Sequence, residues 1–429
     1  MSGHATFKGW LGGICGAALA VAASLFAVAP AARADTLTTL YSFAGGSDGA
    51  YPDYGPLVQS GSILYGTTTE GGSSGLGTIF QYNLSNSTES VLHSFPGGPG
   101  DAYAPAVGLT AYGTALYGVT YFGGSQGAGA LFQFNTSPAS EAVLHSFGSG
   151  SDGNNPNAQL IRYGDTLFGT TVAGGSGGAG TLFTYNLITN TETVLHNFTG
   201  SDGAYPTGLA ISSSGSTLWG TTNLGGSSGL GTIFQYNLNT NTPTTLASFT
   251  GVGGDGARPF DPSLVHFGNS LYGTAEFGGA YGDGTIFTYN MNTNQESTVY
   301  SFGSIAGDGL YPFSSLVISP SGEYLYGETT SGGAYGQGAV FQYDLLTNTE
   351  TILYSFTGGS DGADPYSTLL LSGSTLYGET YMGGASGDGT LFAIDLATPE
   401  PSSLVLFSTA CGALLLLRRR QRPGRRLLA

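Results

Sequence analysis

A phenylalanine closing a short apolar segment returns seven times along this 429-residue chain, as Phe43, Phe95, Phe147, Phe198, Phe249, Phe302 and Phe356, at intervals of 52, 52, 51, 51, 53 and 54 residues. No other feature restricts the fold as tightly, because a period of this length marks supersecondary units that bury their apolar faces only against each other. Each unit carries the same pattern. After the phenylalanine comes a Gly-rich stretch with one aspartate (Asp48, Asp101, Asp152, Asp202, Asp255, Asp308, Asp361) and, four residues on, a proline (Pro52, Pro105, Pro156, Pro206, Pro259, Pro312, Pro365). A short apolar segment such as "GPLVQSG" follows, then "LYGTT" or a variant, a Gly-Gly pair, "GTIFQYNL", a polar "TNTE" turn and "TVLHSF".

Short runs of β-branched and aromatic residues bounded by Gly, Asn and Ser read as strands, four to a unit. No stretch of the body holds helical periodicity over 11 or more residues. Glycine makes up 67 of the 364 residues from 35 to 398, but it recurs at fixed places in every unit, which disorder would not produce. The fold class expected is all-β, a seven-bladed β-propeller. The chain ends test this. The seventh unit stops after its third strand, "GTLFAIDL", whereas "LTTLYSF" at the start is a fourth strand with no unit before it. An N-terminal strand completing the last blade would close the ring.

Two resemblances follow from these residues. The strand leading to Gly-Gly, then an aromatic strand ending in Tyr-Asn or Tyr-Asp and a Thr-Asn turn, is similar to the kelch blade, although the blade-packing tryptophan of kelch repeats is replaced by other residues. More closely, "LYGTTTEGGSSGLGTIFQYNL" and its copies resemble the GloVer tandem repeat of bacterial exported proteins. That resemblance covers nearly the whole body and implies a fold and an address, with no established activity attached.

The two ends read as targeting segments. Residues 1–34 carry Lys8, an apolar run rich in Ala, Leu and Val, and Ala32, Arg33 and Ala34, the pattern of a secretory signal peptide with a cut between Ala34 and Asp35. An uncleaved N-terminal anchor is the alternative. At the other end, residues 404–417 hold no charge and at ~1.5 Å per helical residue reach about 21 Å, short of the ~30 Å hydrocarbon core. The Arg418, Arg419 and Arg420 cluster, continued by Arg422, Arg425 and Arg426, holds this flank on the cytoplasmic side. Pro399, Glu400 and Pro401, then the apolar segment, then the arginines, together resemble the PEP-CTERM sorting signal of Gram-negative bacteria. The resemblance implies processing by an exosortase, a membrane-bound cysteine peptidase homologue, and export to the cell envelope, cell surface or extracellular matrix. The domains expected are thus 1–34, 35–398 and 399–429.

Between those ends, twenty-six acidic residues face Arg162 and Arg258 alone, a formal −24. Such a body repels nucleic acid and anionic lipid. Cys15 and Cys411 both fall in the end segments, so the body forms no disulfide and offers no thiol chemistry.

If the Asp-Gly loops and Gly-Gly loops share one face, the seven aspartates form a ring there. Asp-Gly is turn chemistry first, with the carboxylate accepting nearby backbone amides and glycine taking positive φ. The functional alternative is a carboxylate ring that binds calcium or orients a saccharide, although calcium wants six to eight oxygens and the spacing supplies one per unit. His93, His145 and His196 share a position held elsewhere by Tyr41, Ala247, Tyr300 and Tyr354. That is a packing position, and blade spacing argues against one zinc shared by the three histidines. No metal ligand set and no catalytic residue is assigned. Glu328 and Glu379, which replace the Thr of "YGTT" in neighbouring units, and Glu276, Asp283 and Asp388 break the repeat, and paired carboxylates of this kind serve glycoside hydrolysis. The reading favoured is a non-catalytic binding or structural protein, with extracellular polysaccharide or envelope proteins as partners. The alternative is a polysaccharide-active enzyme with an acidic site at the channel mouth.

Overall fold

The computed structural model describes residues 36–52, 55–105, 107–260 and 263–396. The expected cut at Ala34 and Asp35, the motif Pro399, Glu400, Pro401, the short apolar helix and the Arg418, Arg419, Arg420 cluster lie outside the described residues. Among the described residues the chain is strands and turns, and no helix is long and apolar enough to cross a membrane.

Seven antiparallel blades follow one another along the chain and form a β-propeller. Blade 1 sets the pattern: an innermost strand, Gly49–Pro52 and Val58–Ser60, then Ile63–Gly71, Thr78–Asn83 and the outer strand Thr88–Ser94. In blade 1 the innermost strand differs from the single segment expected, whereas the fourth blade keeps one strand, Ala204–Ile211, with a register shift after Pro206. The two pieces in blade 1 pair with opposite ends of the second strand, Pro52 against Thr68 and Val58 against Tyr65. Six residues of one strand thus span three of the other, because Pro52 supplies no N–H to continue the ladder.

Blade 7 contains Leu370–Ser372, Thr375–Thr380 and Thr390–Asp395. Its outer strand is Leu37–Ser42, with Leu37 opposite Ile394 and Ser42 opposite Thr390, so the start of the chain closes the ring.

The periodic phenylalanines explain how blades adhere. Each is fully buried at the end of one outer strand and meets, edge to face, a phenylalanine on the third strand of the next blade. Phe43 and Phe80 close the ring with ring centres 5.1 Å apart, and Phe147 with Phe183 and Phe249 with Phe287 repeat the contact at 5.0 and 4.9 Å. Such pairs contribute roughly 0.5–1.5 kcal/mol beyond the burial of their area. Room for the ring comes from the glycine of "YG": a Cβ on Gly66 would lie 2.4 Å from Phe80 Cζ. That packing requirement, rather than flexibility, keeps glycine there in all seven units.

Candidate functional site

The repeated aspartates sit between blades, in the turn joining one outer strand to the next innermost strand. All seven carboxylates accept a backbone N–H of that turn: Asp48 from Gly49 at 2.8 Å, Asp101 from Gly98 at 3.0 Å, Asp152 from Gly153 at 2.8 Å. Asp202, Asp255, Asp308 and Asp361 accept from Thr199, Thr250, Ser304 and Thr357 in the same way. In five turns the carboxylate also meets the side chain at the histidine position of the outer strand. Tyr41, Tyr300 and Tyr354 donate a phenol at 2.9 to 3.0 Å, and His145 and His196 present Nε2 at 2.9 and 2.8 Å. The main chain on the same residues ties the two loops of this face together, as in Gly72 N–H to Asp48 C=O at 2.7 Å and Gly333 N–H to Asp308 C=O at 2.7 Å.

A glutamate from the next blade's outer strand faces five of these aspartates. Burial and then the neighbouring aspartate's charge push Glu89, Glu192 and Glu296 up to about 7, Glu141 to about 6 and Glu350 to about 8. One oxygen of each is buried without a hydrogen-bond partner. Between blades 3 and 4 the glutamate is replaced by Pro243, which leaves a cavity of about 80 Å³ beside His196 and Asp202. At the first histidine junction His93 Nε2 is buried and unpartnered, and burial holds its imidazole below the usual range against the pull of Asp101.

Glu328 and Glu379 are 0 and 2 % exposed, in the wall rather than at a surface. In other blades the threonine at this position donates to a carbonyl of the next blade, Thr170 to Thr207 at 3.1 Å and Thr274 to Ser314 at 3.0 Å. Glutamate fills the position with a carboxyl instead. Ser367 donates to Glu328 Oε2 at 3.4 Å, while Oε1 of both glutamates is buried without a partner. Burial drives both well above the ordinary carboxyl range, reinforced at Glu328 by Glu379. Neither side chain is open to a large substrate.

What sequence reasoning passed over lies at the channel rim, on the face carrying the Gly-rich loops. The residue before the repeated proline has φ between 50° and 57° in every unit: Tyr51, Ala104, Asn155, Tyr205, Arg258, Tyr311 and Asp364. Non-glycine residues reach this region only when the surroundings hold them there, at a strain of about 1–3 kcal/mol each. The constraint is a hydrogen bond from each N–H to the Gly-rich loop of the preceding blade, for example Tyr51 to Asp388 C=O at 2.9 Å and Tyr205 to Ala179 C=O at 3.0 Å. Seven closely similar backbones thus present five kinds of side chain, tyrosine in three units.

Aromatic rings run around this rim. Tyr51 contacts Tyr381 at 5.0 Å, Tyr381 contacts Tyr366 at 5.6 Å, Tyr366 contacts Phe313 at 5.1 Å and Phe313 contacts Phe260 at 4.3 Å, crossing blades 1, 7, 6 and 5. Phe260 then walls a cavity of about 280 Å³ with Tyr121, Tyr205, Asn157, Asn223 and Thr207. This approaches the ~300–1,000 Å³ of small-molecule pockets. Tyr205 is 45 % exposed, and Asn223 Nδ2 is buried with no partner. Among the described residues, no carboxylate lines the cavity. Glu276, near this rim on blade 5, is raised by burial to about 7 against the pull of Arg258, and burial also raises Asp364 on blade 7.

A family profile described as the Gloeobacter/Verrucomicrobia repeat matches four overlapping windows, residues 20–178, 77–269, 151–323 and 316–416. No curated protein matches the sequence. Among solved structures, oligogalacturonate lyase from Vibrio parahaemolyticus is similar over 86 % of this chain and 95 % of its own, with a TM-score of 0.52 and 12 % identity. A chain of the mitotic checkpoint complex is similar over 86 % and 95 %, with a TM-score of 0.54 and 15 % identity. A puromycin-hydrolyzing peptidase from Mycobacterium tuberculosis is similar over 82 % of this chain and 52 % of its own, with a TM-score of 0.54 and 14 % identity. At these identities the likeness is one of fold alone.

Proposed function

The chain belongs to the Gloeobacter/Verrucomicrobia repeat family, and from that premise we propose an exported, non-catalytic binding protein of the cell envelope or extracellular matrix whose channel rim holds a neutral saccharide chain. The observation that carries this reading is the cavity among Tyr121, Asn157, Tyr205, Asn223 and Phe260. Aromatic faces cover the C–H faces of a pyranose, amides and hydroxyls meet its ring of alcohols, and the buried free donor of Asn223 asks for an acceptor. Twenty-six acidic residues against two arginines in the body disfavour an anionic polymer.

The address belongs to the same reading. Residues 1–34 direct export, the Pro399, Glu400, Pro401 segment with its apolar stretch and arginine cluster is a PEP-CTERM-type signal for an exosortase, and the apolar stretch holds the inner membrane before processing. The kelch-like character of the blade fits a binding role. The enzymatic alternative needs two cooperating carboxyls. Glu328 and Glu379 are sealed from solvent, and Glu276 and Asp364 stand on blades 5 and 7 with blade 6 between them.

The reading is tested by titrating the full chain with neutral and acidic polysaccharides, with and without calcium. Saturable binding to a neutral polymer, weakened about tenfold or more by Tyr205→Ala or Phe260→Ala, is the expected result. Absence of saturable binding, or binding indifferent to both substitutions, overturns it.

A further inference from the structure

We propose that the junction between blades 2 and 3 binds a divalent transition-metal ion of the zinc class through His145, Asp152 and Glu192, a site that stands independently of the saccharide reading. His145 Nε2 and one oxygen each of Asp152 and Glu192 lie within 4.8 Å of one another. They come from three segments: the outer strand Ala139–Ser146, the turn after it, and the outer strand Thr191–Asn197 of the next blade. A zinc-class ion holds nitrogen and oxygen donors at about 2.0–2.2 Å, which at the tetrahedral angle separates two donors by roughly 3.4 Å. The 2.9 Å contact of His145 with Asp152 and the 4.8 Å outer limit bracket that spacing.

The donors also show what they lack. Glu192 Oε1 is buried and meets no donor, and two carboxyls share the neighbourhood with one imidazole. At the Tyr41 and Tyr300 junctions a phenol supplies a proton to the aspartate and has no lone pair of comparable affinity for a metal. Neutral imidazole does. Asp152 is oriented by the Gly153 amide on its other oxygen, the kind of outer support that fixes a ligating carboxylate. The His145 side chain is 23 % exposed, so the cluster reaches solvent. One nitrogen and two carboxylates suit zinc better than calcium, which takes six to eight oxygens.

The repeat contains its own controls. His196 and Asp202 lack the glutamate, Pro243 standing in its place. His93, Asp101 and Glu141 provide the same residue types at the preceding junction, but their donor atoms do not converge to the same spacing.

The full chain, prepared without a polyhistidine tag and stripped with chelator, is titrated with zinc chloride by calorimetry, and retained zinc is counted by elemental mass spectrometry. About one zinc per chain is expected, insensitive to excess calcium chloride, with Glu192→Gln weakening it about tenfold or more. His145→Tyr should abolish it while folding normally, because it recreates the Tyr41 and Tyr300 junctions, and His196→Tyr should retain it in full. A wild-type chain that retains no zinc, or a folded His145→Tyr chain that retains as much as wild type, overturns the site.

Discussion

A single side chain can be at odds with the repeat that surrounds it. Glu328 and Glu379 occupy a position where threonine suffices, and each leaves a carboxyl oxygen buried and unpartnered. Their pKa values in the folded chain lie well above the ordinary value of about 4.5 because burial disfavours the charged form. The sign follows from proton linkage: below the unfolded pKa both states are protonated and the folded chain bears no penalty. As pH rises past that value the unfolded chain ionises and the folded chain does not, so stability falls until the folded pKa is passed. Glu328→Gln with Glu379→Gln keeps volume and removes the titration. The double variant should melt no higher than wild type at pH 4 and clearly higher, by several degrees, at pH 8. Parallel melting curves across that range would show that the two carboxyls titrate alike in the folded and unfolded chain. Sequence reasoning singled out these residues as repeat breakers, but their isolation from solvent depends on the next blade's loop, which no local pattern reveals.

At the scale of the strand, closure rests on Leu37–Ser42. The strand brings Leu40 and Tyr41 to the core shared by blades 7 and 1, where Phe43 meets Phe80, and without it Thr390–Asp395 becomes an open edge. A fully buried side chain of this size stabilises by ~1.5–3 kcal/mol, so removing residues 36–43 should cost roughly 5 kcal/mol or more. A deletion of equal length in an exposed Gly-rich loop should cost far less, and equal melting temperatures for the two chains would remove closure as a source of stability. This strand was legible because the repeat inventory shows one outer strand too many at the start and one too few at the end. The break in the innermost strand was not. Tyr51, Ala104, Asn155, Tyr205, Arg258, Tyr311 and Asp364 share a backbone conformation and have little chemistry in common, so nothing in residue type announces the positive φ. The aromatic rim was hidden because Phe260 and Tyr381 lie where units disagree, while the tyrosine shared by Tyr51, Tyr205 and Tyr311 reads as part of the Asp-Gly turn.

For the ring as a whole, the junctions sum the same electrostatic problem. Five aspartate–glutamate pairs lie between neighbouring blades, and the glutamates titrate near 6 to 8 instead of near 4.5, through burial first and the adjacent aspartate second. Each raised value is a stabilising contribution complete below about pH 4.5 and lost as pH climbs to about 8, when the second charge of each pair appears between the blades. Added to a body with a formal −24, this makes alkaline conditions unfavourable for the closed ring. The melting temperature should therefore be highest near pH 4 to 5 and decline to pH 8. Salt separates the long-range part from the local one, because exposed charges are screened beyond ~10 Å at 0.1 M whereas buried pairs are not. Raising ionic strength at pH 8 should recover part of the loss and leave a remainder, and Glu350→Gln, at the junction with the highest value, should reduce that remainder. A melting temperature that rises from pH 5 to pH 8 at constant salt would mean that the junction glutamates are already ionised in the folded chain at pH 5, and burial between the blades would then not raise them.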